Sequence, residues 1–381
     1  MTIFFLTSWF PSRVDPTNGN FVGRHARLVA REHAVVVVAV EVDESLRPGR
    51  VELTRRQGEG YEVVHAYVGY TATTSAFLKM SYRLRAYRAA MRLARKRFGR
   101  PGVLHGHVLL DGGMVAGIYS RLWSVPLVLT EHSSAYQEPK ALSGIRRVLG
   151  VHACRMARTI MPVSRHLGRS MREVNYLPGR YRTVSNVVNE RLYTLAEPPA
   201  RPPFRLLHVS NFDGPSKNVP GILRAFAALP PDPERPLSLH VAGDGDLGAV
   251  RRMAAASGVE NITFSGPHTE REVAELMQSC HAFVLFSNFE NQPVVLLEAQ
   301  MSGRPCIATP VGGIADIVLP GRTGLLVPVA DEVALTAAFL RMRDEYDSYD
   351  LAAIRERALG LYGEAAVLRA LNEVYGGAVG R

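Results

Sequence analysis

The segment NFENQPVVLLEAQMSGRPCIA, Asn288 to Ala308, holds two glutamates eight positions apart, Glu290 and Glu298. Glu298 stands in an apolar run, with Val294-Val295-Leu296-Leu297 before it and Ala299 after it. The preceding apolar stretch Ala282–Phe286 reads as a buried strand. Pro293 suits a first helical position, where its missing N–H would have had no partner. The segment is therefore a strand, a loop and a helix, with Glu290 on the loop at the strand's carboxyl end. Glu298 falls about one and a half turns into the helix. A glutamate ahead of a helix can simply answer the helix dipole, which is the plain reading of Glu290. The plain reading of Glu298 is an exposed helical position, but its apolar neighbours argue against it. A carboxylate buried there needs hydrogen-bond donors, and sugar hydroxyls are donors of the right kind.

The same rhythm runs through all 381 residues. In the first half, spacing predicts strands at Thr2–Ser8, Ala34–Val42, Val103–His107, Pro126–Thr130 and Arg158–Pro162. Helices are expected near Phe21–Glu32, Ser75–Phe98, Asp111–Trp123 and Arg165–Val174. The second half repeats the pattern with strands at Phe204–Val209, Leu237–Ala242, Asn261–Phe264, Ala282–Phe286, Pro305–Ala308 and Gly324–Val327. Its helices are expected near Val219–Leu229, Leu247–Gly258, Glu270–Ser279, Val294–Met301 and Val333–Tyr346. Strand–helix alternation means parallel sheets covered on both faces. The stretch EPPARPPF, Glu197–Phe204, holds four prolines in eight residues, a stiff and non-helical connection. Two Rossmann-like α/β domains are therefore expected, residues 1–195 and 196–360, with a helix at about 361–377 returning to the first. Open α/β sheets take ligands at the carboxyl ends of their strands.

Composition narrows the class. Hydrophobic content of 47% and charged content of 21% are those of an ordinary globular protein. No apolar run approaches the ~20 residues of a membrane span. The N-terminal MTIFFLTSWFPS has no basic region before its apolar run, so it reads as a first buried strand and not as a signal peptide. Cys154, Cys280 and Cys306 are far apart with no C-x-x-C, which fits a reducing cytoplasm and argues against a zinc or disulfide framework. The net charge of +10 is unevenly spread: residues 1–195 hold 29 Lys/Arg against 13 Asp/Glu, residues 196–381 hold 16 against 22. A basic half suggests an anionic partner such as nucleic acid, a membrane surface or an anionic substrate.

Two further loops repeat the opening arrangement. Phe204–Val209 runs into SNFDGPSKN, and Leu237–Ala242 into GDGD, each followed by a helix. Helix N-termini present free N–H groups and a positive dipole, which suit phosphate, and Lys217 adds a mobile cation beside the first. Neither loop is specific alone, because βα turns commonly use Gly and Asp.

Together these residues are similar to a known family. ENQPVVLLEAQMSGRPCIATPVGGI resembles the E-x7-E region of retaining glycosyltransferases of family 4, which have the GT-B fold. NVVNERLY, LLHVSNFDGPSKNVPGILRAF, LSLHVAGDGD, ITFSGPHTEREVAELMQSCHAFVLFS and TGLLVP follow in that family's order and spacing. The resemblance implies that Glu290 binds hydroxyls at the far edge of a donor sugar and Glu298 binds the ribose hydroxyls of the nucleotide. It implies that Lys217 neutralises the departing diphosphate, with backbone N–H groups near Asn291, Gln292, Val294 and Val295 holding sugar and phosphate. Ser210 and Asn211 join the donor site where the family often has Gly-Arg, which puts one phosphate cation in doubt. Backbone near Pro267 and His268 would meet the base, and Gly312-Gly313 would turn closely past the site. In the first half, Gly19 in DPTNGNFVGRH matches the family's glycine loop. His107, ending VLHGH, matches a histidine facing the reacting sugar, and His132 in TEHSSAY is the acceptor-side candidate. The acid after the double glycine is Asp316, and Glu290-Asn291-Gln292-Pro293 replaces the usual Glu-Gly-Phe-Gly.

The resemblance implies a glycosyltransferase moving a hexose or related sugar, with retention, from a UDP- or GDP-linked donor to a glycan or lipid-linked acceptor. Cell-surface polysaccharide or glycolipid synthesis is the expected setting, in the cytoplasm or at the inner face of the membrane. No cofactor and no metal are expected: the nearest D-x-D, Asp244-Gly245-Asp246, falls on a glycine-rich turn, and no His/Asp cluster has metal spacing. Two other readings stand beside it, a GT-B-fold sugar-nucleotide epimerase and a nucleic-acid-binding protein. The second lacks aromatics interleaved on a basic strand, so nucleic acid is not an expected partner. Residues 75–100 instead read as a basic amphipathic helix for an anionic membrane surface. Phe77, Met80, Leu84, Tyr87, Met91, Ala94 and Phe98 form its apolar stripe, and no Asp or Glu occurs from Val63 to Leu110.

Overall fold

The computed structural model describes residues 1–212 and 214–380. The chain divides into two compact units, residues 1–187 with 367–381, and residues 188–366. Asp213, inside the expected SNFDGPSKN loop, lies outside the described residues.

The first unit begins β1 (Thr2–Thr7), α1 (Asn20–Val29), β2 (Ala34–Val42), β3 (Val51–Gln57), β4 (Glu62–Val68) and α2 (Ala76–Phe98). It continues β5 (Val103–His107), α3 (Met114–Trp123), β6 (Leu127–Glu131), α4 (Gly144–Met156), β7 (Ala157–Pro162) and α5 (Arg165–Arg169). Among the described residues its sheet has seven strands in the order β3-β4-β2-β1-β5-β6-β7. All pair in parallel except the β3–β4 hairpin. Alternation along β1 sorts the two faces. Phe4 and Leu6 meet α2, α3 and α4 through Ala86, Met91, Ala116 and Cys154. Ile3 and Phe5 meet α1 and the chain's last helix through Val22, Ala26, Leu371 and Tyr375.

The second unit runs β8 (Phe204–Asn211), α6 (Val219–Ala227), β9 (Leu237–Asp244), α7 (Leu247–Ala256), β10 (Ile262–Ser265) and α8 (Glu270–Gln278). Then come β11 (Ala282–Leu285), α9 (Val294–Met301), β12 (Cys306–Ala308), α10 (Ile314–Ile317), β13 (Gly324–Leu326), α11 (Glu332–Glu345) and α12 (Leu351–Tyr362). The last helix, α13 (Glu364–Val379), crosses to the first unit at Val367. The six strands described here lie in the order β10-β9-β8-β11-β12-β13, all parallel. Both units are thus doubly wound α/β folds of Rossmann type.

The unit boundary falls at 187/188, earlier than the expected 195/196, and the second unit extends past 360 to 366. The reason is hydrogen bonding that reaches back across the proline run. Fully buried Arg304 donates to the carbonyls of Met277, Gln278 and Ala196, each at 3.0 Å. Arg355 donates to the carbonyls of Tyr193 at 2.5 Å and Glu190 at 3.2 Å. Residues 188–196 are therefore held by the second unit before the prolines begin.

Other expectations shift locally. The hairpin β3–β4 and helices α4, α10 and α12 lie where no element was expected. Strand β3, VELTRRQ, is largely exposed at the sheet edge and so lacks the apolar run that marks buried strands. The helix expected from Asp111 starts at Met114, after a π-turn at Leu109–Gly113, and that expected at Arg165–Val174 ends in another at Ser170–Val174. Pro293 occupies the N-cap of α9 in extended backbone, one place before the expected position. On α2 only the C-terminal part of the expected stripe is covered: Tyr87, Met91 and Ala94 are buried, whereas Phe77 is 81% and Leu84 39% exposed.

Candidate functional site

In the second unit, the loops at the carboxyl ends of β8 and β11 are joined to each other. The Asn288 backbone N–H donates to the Ser216 carbonyl at 2.8 Å, and its side chain donates to the Pro215 carbonyl at 2.7 Å. This places Lys217 against Glu290, and the two form an ion pair. Ser287 donates a second hydrogen bond to the same carboxylate at 3.0 Å. Glu290 is 9% exposed, so an unpaired charge there would be costly. Gly312 allows the third wall. It has φ +57°, and a Cβ there would stand 1.9 Å from the Glu290 carbonyl oxygen. Gly313 N–H then donates to the Asn291 carbonyl at 2.7 Å. Only glycine permits both the left-handed backbone and the approach.

Helix α9 starts directly after this loop. It has no side-chain cap and no acidic residue in its first turn, so the backbone N–H groups of that turn are not answered by a capping side chain. Val294 and Val295 are half-buried there, Gln292 is half-buried and Asn291 is buried. Glu298 is buried at 3% exposure, as its apolar neighbours require. Asn218 caps α6 beside Lys217, its side chain accepting from Gly221 N–H. Ser210, at the end of β8, accepts or donates with His208 Nε2 at 2.7 Å, and His208 Nδ1 meets the Val284 carbonyl at 2.9 Å. Burial, with Lys217 nearby, lowers the His208 imidazole to about 4. Asn211 is exposed on the adjoining position. Pro267 and His268 follow β10, where His268 Nε2 lies 2.6 Å from Ser265 Oγ. The structure thus gathers Lys217, Glu290, Asn291 and the α9 N-terminus at the carboxyl edge of one sheet.

The first unit has its own carboxyl-edge cluster. Gly19 has φ +62°, and a Cβ there would stand 2.2 Å from the Trp9 carbonyl oxygen. It thereby lets the loop after β1 fold back on itself and launch α1. His107 ends β5 and His132 follows β6, with His107 Nδ1 and His132 Nε2 3.3 Å apart. Both are buried. His25, on α1, completes a group with ring centroids 5.8 Å from His107 and 5.7 Å from His132. Phe21 packs on His132 at 4.3 Å and Phe5 on His107 at 4.7 Å.

Sequence reasoning singled out His107 and His132 but missed His25, His105 and Glu131. Glu131 is buried and accepts from the backbone N–H of Leu109 at 2.7 Å and of His132 and Ser133 at 2.8 Å each. It ties the turn after His107, where Val108 has φ +61°, to the end of β6. Its signal was available: a carboxylate ending an apolar strand, as Glu298 is a carboxylate within an apolar helical run. Burial pushes Glu131 up to about 7 against those donors. Burial likewise lowers His25 to about 4 and drives His105, His107 and His132 well below their ordinary value.

Comparison with known proteins follows the same division. Residues 24–192 match the model described as Glycosyltransferase Family 4, and residues 203–345 the model described as Glycosyl transferases group 1. The D-inositol 3-phosphate glycosyltransferase of Streptomyces scabiei is 27% identical over 382 residues, covering 92% of this chain and 84% of that one. The Vi polysaccharide biosynthesis protein VipC/TviE of Salmonella typhi is 42% identical over 98 residues, which is 25% of this chain and 17% of the relative. The crystal structure of Anabaena Alr3699/HepE in complex with UDP superposes with a TM-score of 0.71 at 16% identity, covering 98% of this chain and 99% of that one.

The buried histidines give an acid-stability prediction. A histidine whose folded value is lowered binds fewer protons folded than unfolded, so its stabilising contribution is present above about 6.5 and is lost as pH falls toward 4. For His25 alone that loss is about 3 kcal/mol. Glu131 acts oppositely, since its raised value favours the folded state as pH falls from 7 to 4.5, but it is one group against four histidines. Both tryptophans, Trp9 and Trp123, lie in the first unit, so their fluorescence during denaturant unfolding reports that unit alone. The midpoint should fall between pH 6.5 and 4, and His25→Gln should flatten the dependence.

Proposed function

The chain belongs to glycosyltransferase family 4, with the GT-B fold, and on that premise we propose that it transfers a sugar from a UDP- or GDP-linked donor to a glycan or lipid-linked acceptor with retention of configuration. The setting we infer is cell-surface polysaccharide or glycolipid synthesis, in line with the Vi polysaccharide relative. The observation that carries the donor reading is the Lys217–Glu290 pair beside the uncapped N-terminus of α9. A cation and a helix dipole at one strand end suit a departing diphosphate.

In this reading the bond from the anomeric carbon to the donor phosphate oxygen breaks on the face where the acceptor oxygen bonds. The acceptor's proton passes to the leaving phosphate, so no protein base is needed. Glu290 holds hydroxyls of the reacting sugar and steadies Lys217, which meets the diphosphate. Glu298 holds the ribose hydroxyls, and the backbone at Asn291, Gln292, Val294 and Val295 holds sugar and phosphate. Ser210, Asn211, Pro267 and His268 border the nucleotide. On the first unit, Gly19 shapes the loop before α1, His107 faces the sugar and His132 the acceptor. Neutral imidazoles at both positions can donate one hydrogen bond and accept another without adding charge.

The two glutamates should then fail differently. Glu298→Ala mainly weakens donor binding, because ribose contacts are alike in ground and transition states. Glu290→Ala lowers kcat more, because it positions the reacting sugar. Either loss is roughly 1.5–3 kcal/mol, that of a hydrogen bond to a charged group. Steady-state kinetics decide it, and equal changes in kcat and KM for both variants would contradict the division.

The chemistry assigned to Lys217 and the α9 dipole leaves no step to a divalent ion. Transfer should persist in excess chelator, and complete loss restored by magnesium or manganese would overturn this.

No described helix is long and apolar enough to cross a membrane. We place the protein in the cytoplasm, docked through α2 and α3 on an anionic inner surface. A cavity of about 770 Å³ between these helices is lined by Arg88, Arg92, Arg95, Tyr119, Leu122 and Trp123, among others. Arg95 lies over the Trp123 ring at 5.0 Å, and Leu122 is 69% exposed. Exposed apolar side chains ringed by arginine suit a headgroup boundary, where each basic residue adds about 1 kcal/mol. Charge reversal at Arg88, Arg92 and Arg95 should abolish flotation with phosphatidylglycerol vesicles and spare donor binding. Wild-type protein that ignores such vesicles at low salt would sink the docking reading.

A further inference from the structure

The first unit brings together three histidines that sequence spacing kept apart. One ring nitrogen from each of His25, His107 and His132 lies within 4.8 Å of those of the other two. The ring centroids stand 5.6, 5.7 and 5.8 Å apart, a nearly equilateral triangle. The arrangement of hydrogen bonds around the triangle is as informative as its size. His25 Nε2 meets the Ser185 carbonyl at 3.3 Å. A carbonyl can only accept, so Nε2 carries the proton and Nδ1 carries the lone pair. That Nδ1 is buried and has no hydrogen-bond partner. His132 Nε2 faces His107 Nδ1 at 3.3 Å. His107 Nε2, like His25 Nδ1, is buried with no partner.

We propose that His25, His107 and His132 form a binding site for one borderline-soft divalent cation of the zinc class. Three imidazoles with an open fourth position are a common zinc donor set. Zn–N bonds of about 2.0–2.1 Å at tetrahedral angles put ligand nitrogens roughly 3.3 Å apart. The His107–His132 pair already has that separation, and the remaining ring needs to close by about 1.5 Å at most, from 4.8 Å. The Ser185 carbonyl supplies the outer partner that fixes tautomer and ring orientation at His25, as such groups do around metal-bound histidines. On binding, the proton that lies between His107 Nδ1 and His132 Nε2 moves to the other nitrogen of the ring that carries it or to solvent, so that both atoms offer lone pairs beside that of His25 Nδ1. His105 sets the contrast. It neighbours the triangle, yet Tyr375 Oη at 2.8 Å and Thr130 Oγ1 at 2.7 Å occupy both its nitrogens, and it has no lone pair to spare. His107 and His132 are also the residues that the proposed function sets against sugar and acceptor, so the ion is measured without donor and the donor reading through Lys217, Glu290 and Glu298 of the second unit, and the two can fail independently.

The test uses the full chain without a polyhistidine tag, stripped with chelator and titrated with zinc or cobalt in the absence of nucleotide sugar. Zinc retained after desalting, measured by plasma mass spectrometry, should reach one ion per chain. Cobalt should give the intense visible bands of a tetrahedral or five-coordinate nitrogen site. His25→Gln keeps an amide able to donate to the Ser185 carbonyl, and His132→Gln keeps a polar group at its position. Each should weaken zinc at least about tenfold. His152→Ala, outside the triangle, should bind as the parent does. Thermal unfolding of the stripped variants verifies that each is folded, and a single folded variant of the three histidines suffices to decide. Failure to retain a stoichiometric ion, or equal retention by such a folded variant, would overturn the site.

Discussion

A carboxylate buried at the carboxyl edge of a parallel sheet must be given donors, and the loops of both units are arranged by that requirement. In the second unit Glu290 takes Lys217 from one loop and Ser287 from its own. These contacts draw the β8 and β11 loops together, and the Asn288 bonds to Ser216 and Pro215 close the join. In the first unit Glu131 takes three backbone N–H groups from two loops. The outcome is alike in kind: two strand ends are locked in register by one side chain. The difference lies in the donors. A cation partner leaves a site with mobile charge to share with a ligand, whereas backbone donors leave a rigid turn. Among the described residues Lys217 is thus held by a single side-chain partner, while Glu131 holds the turn after His107 through Leu109.

Desolvation does a second job in the first unit. Four histidines, His25, His105, His107 and His132, are buried within reach of one another. Charging any of them would cost both desolvation and mutual repulsion, so the cluster remains neutral. Neutral rings pack like aromatic side chains, which explains why Phe5 and Phe21 lie against them. The same neutrality leaves lone pairs in the interior, and at His25 their direction is set by the Ser185 carbonyl.

Most of the alternating elements could be read from the sequence because buried parallel strands are short unbroken apolar runs. Every strand expected in the second half occurs there, and all but the partly exposed edge strand β10 are largely buried. The edge strand β3 escaped because VELTRRQ is largely solvated and carries no such run, whereas β4, EVVHAYV, is buried and escaped although it carries one. The boundary at 187/188 escaped because it depends on Arg304 and Arg355 reaching carbonyls distant in sequence. At the site, Glu290, Glu298 and Lys217 stood out through local context, a charge beside or within an apolar pattern. His25 did not, because an amphipathic helix with one histidine on its inner face looks like any other; only the third dimension places it beside residues 107 and 132.

The charge asymmetry acquires a physical meaning from burial. The second unit is acidic overall, yet its carboxyl edge presents a lysine and an uncapped helix N-terminus. Lys217 is balanced there by Glu290, so what distinguishes this edge from the acidic body is the uncapped helix N-terminus beside an ion pair, and screening limits the reach of the bulk charge to about 10 Å. The first unit is basic, and its arginines at 88, 92 and 95 stay exposed on α2 while the helix buries Tyr87, Met91 and Ala94. Packing therefore consumes only the inner stripe of α2. The exposed apolar residues Leu84 and Leu122 line the same cavity as these arginines, and Phe77 is exposed nearer the start of α2. Core packing of the sheet leaves these side chains uncovered, so the inner stripe and the outer basic face of α2 answer to different constraints.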